Sequence, residues 1–141
     1  NINLENTNQI VAGASMGGLM SMKTSILFPQ FRNIISLSPA FWFGYPSVLH
    51  DIKNLSNESS TYLYTGKKEG HIFGDHVKNI FPNNWDLDFS NNDDFYYSGV
   101  KNIKDSFDSN NKKVIFSFQD NGRHNETSWA TAVLEILGKL I

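Results

Sequence analysis

The sequence predicts an α/β fold with a mostly parallel sheet and helices on both faces. Three observations carry that expectation. Four short apolar runs are spaced along the chain, segments of helical period lie between them, and each run stops at a Gly, Pro or Asn. Strands that alternate with helices are joined by crossovers, and crossovers leave neighbouring strands parallel.

The first run, Ile10-Val11-Ala12, ends at Gly13 and reads as a buried strand. Residues 16–28 carry apolar side chains at Leu19, Met20, Met22, Ile26 and Leu27, a helix headed by Gly17-Gly18 and closed by Pro29. Ile34-Ile35-Ser36-Leu37 is the second strand, broken by Pro39, and Thr61-Tyr62-Leu63-Tyr64 is the third, ended by Gly66. Val100, Ile103 and Phe107 then recur at i, i+3 and i+7, so one helical face points inward. Val114-Ile115-Phe116-Ser117-Phe118 is the fourth strand, ended by Asn121-Gly122. Residues 127–141 form a closing helix with Trp129, Val133, Ile136, Leu137 and Leu140 on its apolar face. Residues 70–92 have no steady period. They are rich in Asn, Asp and aromatics (Phe73, Phe81, Trp85, Phe89) and read as a cap-like loop or as a satellite hydrophobic cluster.

A chain of 141 residues with 40% hydrophobic, 13% aromatic and 18% charged residues is the size and composition of one globular domain. Its net charge of −2, with acids and bases interspersed, offers no basic face for nucleic acid. The longest apolar run, residues 130–137, contains Thr131 and Glu135 and is too short to span a bilayer. With no Cys, disulfide frameworks, thiolate metal sites and a Cys nucleophile are excluded. The start, Asn1-Ile2-Asn3-Leu4-Glu5, has neither a Met nor the basic and apolar regions of a signal peptide, so the chain reads as a portion of a longer protein. The sequence sets no location, with the cytoplasm favoured over export.

Gly13-Ala14-Ser15-Met16-Gly17 fits G-x-S-x-G directly after a strand and directly before a helix, the context of a nucleophile elbow. A Ser on such a turn stands clear of the sheet. The Met16 N–H at the helix start would face the oxyanion formed when Ser15 attacks a carbonyl. An activated Ser needs a base, and the base needs an orienting acid. His124 follows the fourth strand, at the sheet edge that Ser15 shares, whereas His50, His71 and His76 lie in loops. Glu69 follows the third strand at the same edge, with Asp75, Asp120 and Glu126 as competitors for the acid. His71, Asp75 and His76 are too poorly spaced for a metal site, so neither metal nor cofactor is expected.

The run from Ile10 to Leu19 with Phe31 and Ser38-Pro39-Ala40-Phe41-Trp42 resembles an esterase branch of the α/β-hydrolases. That branch holds siderophore esterases of the enterochelin and bacillibactin type, esterase D-like enzymes and feruloyl esterases. Tyr62-Leu63-Tyr64-Thr65-Gly66-Lys67-Lys68-Glu69-Gly70 resembles its acid-bearing strand and turn, and Gly122-Arg123-His124-Asn125-Glu126 with Trp129 its His loop and closing helix. The resemblance implies Ser15 as nucleophile, Glu69 as acid, His124 as base and the Met16 N–H as one oxyanion donor, with Trp42 and Phe43 lining the pocket mouth. It implies a serine hydrolase acting on small-molecule carboxylic esters through an acyl-enzyme. An acyltransferase of the mycolyltransferase kind, or a non-catalytic fragment, remains open on the same residues. Domains of this branch carry earlier strands and a second oxyanion donor before the elbow strand. The expectation is therefore the C-terminal part of an α/β-hydrolase fold lacking its N-terminal strands. The exposed sheet edge would be covered by a preceding segment or by another copy of the chain.

Overall fold

The structure, a computed structural model, describes residues 9–140. The sequence readings on Asn1 to Glu5 and on Ile141 at the end of the last helix lie outside the described residues. Four strands, β1 (Gln9–Ala14), β2 (Phe31–Leu37), β3 (Ser60–Gly66) and β4 (Lys113–Gln119), form one sheet in the order β1-β2-β3-β4. Each neighbouring pair is parallel. The connections carry α1 (Met16–Leu27), α2 (Ser47–Asp51) and α3 (Asn92–Ser109), and α4 (Glu126–Leu140) follows β4.

Pairing register explains the two-faced core. Ile34 and Ser36 of β2 stand beside Thr61 and Leu63 of β3, while Ile35 and Leu37 stand beside Tyr62 and Tyr64. Successive side chains of a strand point to opposite faces. On the first face, Ile34 and Leu63 join Leu19 and Met22 of α1 and Phe95, Tyr96, Val100, Ile103 and Phe107 of α3 in one cluster. On the other, Ile35, Leu37, Tyr62 and Tyr64 pack with Ala132 and Ile136 of α4. The sheet is thus covered on both faces, as the continuous apolar runs require.

Helix α1 lies close against β2 because Gly18 lets it. A Cβ at Gly18 would come within 2.8 Å of the Leu37 carbonyl oxygen. The Gly18 carbonyl instead accepts from Ser21 and Ser36 hydroxyls, both at 2.8 Å. Helix α3 begins well before the apolar period seen in the sequence, because Asn91 caps it: its side chain accepts from the Asp94 N–H, with Asp93 and Asp94 in the first turn. The extra turns bury Phe95 and Tyr96 completely.

Residues 70–91 contain only two short 3₁₀ turns, Gly70–Ile72 and Val77–Asn79, before α3 opens at Asn92. Their aromatics nevertheless join the main core. Phe81 stacks on Phe95 with ring centroids 5.0 Å apart, Phe89 meets the same ring at 5.1 Å, and Phe73 meets Trp42 edge-on at 5.0 Å. Such pairs contribute about 0.5–1.5 kcal/mol each beyond area burial. No helix of the described residues is long and apolar enough to cross a membrane.

Two glycines separate crowding from conformational entropy. A Cβ at Gly99 of α3 would strike the buried Phe41 ring at 2.1 Å, whereas one at Gly138 of α4 meets nothing within 4 Å. Gly99→Ala is expected to destabilise the chain by about 1–3 kcal/mol through overpacking. Gly138→Ala is expected to stabilise it by about 0.5–1 kcal/mol. Urea unfolding of both variants measures the opposite signs.

Candidate active site

The C-terminal ends of β1, β2, β3 and β4 converge on one edge, and there the chain brings together residues far apart in sequence. Ser15 follows the last residue of β1 and caps the start of α1 with φ 56° and ψ −121°. A non-glycine residue at positive φ is strained and persists only where its surroundings hold it. They do so here: the Ser15 N–H donates to the Leu37 carbonyl at 2.9 Å. The Ser15 carbonyl accepts from the Gly18, Leu19 and Ala40 N–H groups at 3.0, 3.2 and 3.0 Å. The turn is tight because Gly13 has no side chain, since a Cβ there would lie 2.2 Å from the Gly17 carbonyl oxygen. Met16 is the first residue of α1, so its N–H is one of the helix amides with no intrahelical partner.

His124 lies in the loop between β4 and α4. Its Nε2 is 2.9 Å from Ser15 Oγ and its Nδ1 is 2.7 Å from Glu69 Oε2. The loops bearing Glu69 and His124 are fastened to each other. The Lys67 N–H donates to the Gln119 carbonyl at 3.0 Å and the Lys68 N–H to the Gly122 carbonyl at 2.9 Å. The approach requires glycine, as a Cβ on Gly66 would lie 2.1 Å from the Gly122 oxygen.

Glu69 is completely buried. A carboxylate removed from water is costly unless donors surround it. Its Oε1 accepts from the Ser38 hydroxyl at 2.6 Å, from the Gly66 N–H, and from the Thr65 hydroxyl at 3.4 Å. Its field reaches two tyrosines. Burial, aided by the Glu69 charge, pushes the Tyr64 phenol up to about 12 and the Tyr96 phenol well above its ordinary value. Both therefore stay neutral donors: Tyr64 to Gln119 Oε1 at 3.0 Å and Tyr96 to the Ser38 carbonyl at 2.6 Å.

The rival acids are occupied elsewhere. Asp75 accepts from the His76 N–H and the Asn79 amide, Asp120 pairs with Lys67 at 3.2 Å, and Glu126 lies in the first turn of α4. His50, expected in a loop, lies in the last turn of the short helix α2; His71 Nδ1 lies 3.0 Å from the Lys68 carbonyl, and exposed His76 caps a 3₁₀ turn. Among the described residues no three His, Asp or Glu side chains gather as a metal site. Trp42 packs on Phe73 and Tyr96, while Phe43 stands exposed beside it with ring centroids 5.9 Å apart.

A groove of about 430 Å³ flanks the site, walled by Lys68, His71, Phe73 and Arg123, so that it adjoins the chain neighbours of both Glu69 and His124. A larger cleft of about 720 Å³ lies between Tyr45, Trp85, Asp86 and Asn102, and Ser15, Glu69 and His124 line neither space. The sequence reading overlooked Ser38 as a partner of Glu69. Ser38 directly follows β2, the strand that the structure places between the Ser15 and Glu69 strands.

The close approach at Gly13 makes a direct test of the site's geometry. Gly13→Ala must push α1 away from β1 and so pull Ser15 from His124. The expected outcome is a change in the nitrogen-15 shift of His124 Nε2, which faces Ser15, while the proton on Nδ1 facing Glu69 and the helical circular dichroism are largely kept.

A scan against protein-family models finds no match to this sequence, and a search of curated proteins finds none either. Among solved structures, one similar in fold is titled ferulic acid esterase, with a TM-score of 0.63 and 12% sequence identity over 91% of this chain. The chain spans about half (48%) of that protein's length. At this identity the likeness is one of fold: a parallel sheet flanked by helices, part of an α/β-hydrolase-like architecture.

Proposed function

We propose that this chain carries the reacting residues of a serine hydrolase acting on carboxylic esters. The observation that carries the reading is the continuous contact Glu69–His124–Ser15, at 2.7 and 2.9 Å, with Ser15 on a strained turn at the head of α1. A fold shared with a protein titled ferulic acid esterase supports it at the level of architecture.

In this reading His124 Nε2 takes the Ser15 hydroxyl proton as Oγ bonds to the ester carbonyl carbon. The carbonyl oxygen becomes an oxyanion facing the Met16 N–H. Collapse breaks the bond to the alkoxy group, which leaves with the proton from His124, and Ser15 keeps the acyl group as an ester. A water then gives His124 a proton, attacks the acyl carbon and releases the acid as the proton returns to Ser15 Oγ. The Glu69 carboxylate stabilises the imidazolium in both halves. The groove beside Lys68 and Arg123 is a candidate space for substrate; Trp42 and Phe43, expected at the pocket mouth, do not line it, and Trp42 meets it only through Phe73 of its wall. A second oxyanion donor, and a cover for the edge of β1 that pairs with no other described strand, would come from a further segment or a second copy. Ile10, on that strand, is 43% exposed.

A fluorophosphonate probe tests the reading. The wild-type chain is expected to gain one probe mass on Ser15. Ser15→Ala is expected to abolish labelling, His124→Ala to slow it by about 10⁴-fold or more, and Glu69→Gln by about 10³–10⁴-fold. A folded chain that never labels, alone or within a longer protein that includes it, would contradict the proposal. Product analysis with an added alcohol separates ester hydrolysis from acyl transfer.

A further inference from the structure

We infer that Trp129 and Ser38 form a one-way hydrogen-bond relay that holds Glu69, and through it sets which nitrogen of His124 carries the proton. The inference rests on the hydrolase reading above and extends it to two residues that touch no substrate.

The direction of the relay follows from donor and acceptor chemistry. The indole Nε1–H of Trp129 can only donate, and it lies 3.0 Å from Ser38 Oγ. An ionised carboxylate can only accept, and Glu69 Oε1 lies 2.6 Å from the same Oγ. The single hydroxyl proton of Ser38 is therefore committed to Glu69. The Gly66 N–H shares Oε1, which leaves Oε2 to face His124 Nδ1 at 2.7 Å. Since Glu69 has no proton to give, Nδ1 must carry one. Nε2 is then the bare nitrogen, 2.9 Å from Ser15 Oγ and ready to accept its proton. Charge-assisted bonds of this kind are about twice as strong as neutral ones.

Ser38 is built for this position. It is completely buried and held at φ 43°, a conformation costly for a residue other than glycine. Its backbone is pinned at both ends: the N–H donates to the Tyr64 carbonyl at 2.7 Å, and the carbonyl accepts from Tyr96 Oη at 2.6 Å. Trp129 touches the base as well as the acid's partner, its ring meeting the His124 imidazole edge-on at 5.0 Å. One side chain on the first turns of α4 thus braces both members of the Glu69–His124 pair.

The test compares Ser38→Gly, Ser38→Ala, Trp129→Phe and the Ser38→Gly/Trp129→Phe double variant. Glycine removes the hydroxyl and suits the positive φ, so agreement between the Gly and Ala variants isolates the hydroxyl from backbone strain. Nitrogen-15 NMR of His124 and hydrogen exchange of the Trp129 indole read the relay without turnover. The wild-type chain is expected to show the Nδ1–H tautomer and a protected indole proton. Ser38→Gly is expected to show mixed tautomers and an indole proton exchanging about tenfold faster or more. Phosphonylation of Ser15 is expected to slow by about 10- to 100-fold in Ser38→Gly, the loss of one hydrogen bond to a charged group. Trp129→Phe is expected to slow it less, and to add less than about twofold when Ser38 is already Gly. A His124 that stays wholly in the Nδ1–H form in Ser38→Gly would overturn the relay. So would a Trp129→Phe effect of equal size with and without Ser38. Should Trp129→Phe not fold, the tautomer and indole signals of Ser38→Gly decide alone. A wild-type chain that shows the wild-type NMR pattern yet never phosphonylates would count against the hydrolase reading and not against the relay.

Discussion

A carboxylate with no exposure to water needs its negative charge answered by protein groups, and the edge of this sheet is arranged around that need. Glu69 draws a hydroxyl from the end of β2, an amide from the end of β3 and an imidazole from the loop after β4. Each donor comes from a different strand end, so the acid ties the edge together. Removing one donor leaves a buried charge short of a partner, which is costlier than losing an ordinary hydrogen bond. The two tyrosines beside it, raised by burial first and by the Glu69 charge second, hold as neutral donors the backbone of Ser38 and the side chain of Gln119.

Backbone strain is concentrated beside this network. Ser15 and Ser38 both take positive φ without being glycine, and both sit at strand ends facing the same edge. The glycines that allow close approach fall in the same places, Gly13 under α1 and Gly66 against Gly122. Contacts from the sheet and α1 offset the strain at Ser15, and the reach of Tyr96 from α3 does so at Ser38. The long segment 70–92 contributes indirectly, because its aromatics pack on Phe95 and Trp42 and so steady the helix that carries Tyr96.

The four strands were legible because each is a short apolar run that stops at a residue that breaks a strand, although only β2 and β3 are buried on both faces. Ser15, Glu69 and His124 were legible because each follows such a run at the same edge, and the structure does bring them within hydrogen-bond reach. Helix α2 was not legible, since five residues are too few to show a period. The start of α3 was hidden by the Asn-rich stretch before it, whose Asn91 is the cap itself. The part played by Ser38 was hidden for a different reason. It lies 31 residues from Glu69 and 91 from Trp129, and only strand order and register bring the three together. Trp129 is visible in sequence as one apolar position of a helix, which says nothing of where its N–H points.

The central claim is that Ser15, activated through His124, forms a covalent bond to an acyl group. Acid-quenched mass spectrometry during the first turnover of an activated carboxylic ester, with this chain alone or within any longer protein that includes it, tests it most directly. The account predicts a burst of released alcohol equal to the protein present and an acyl mass on the peptide containing Ser15. Ester turnover with no burst and no acyl mass on that peptide, including when hydrolysis is slowed by low pH, would contradict it.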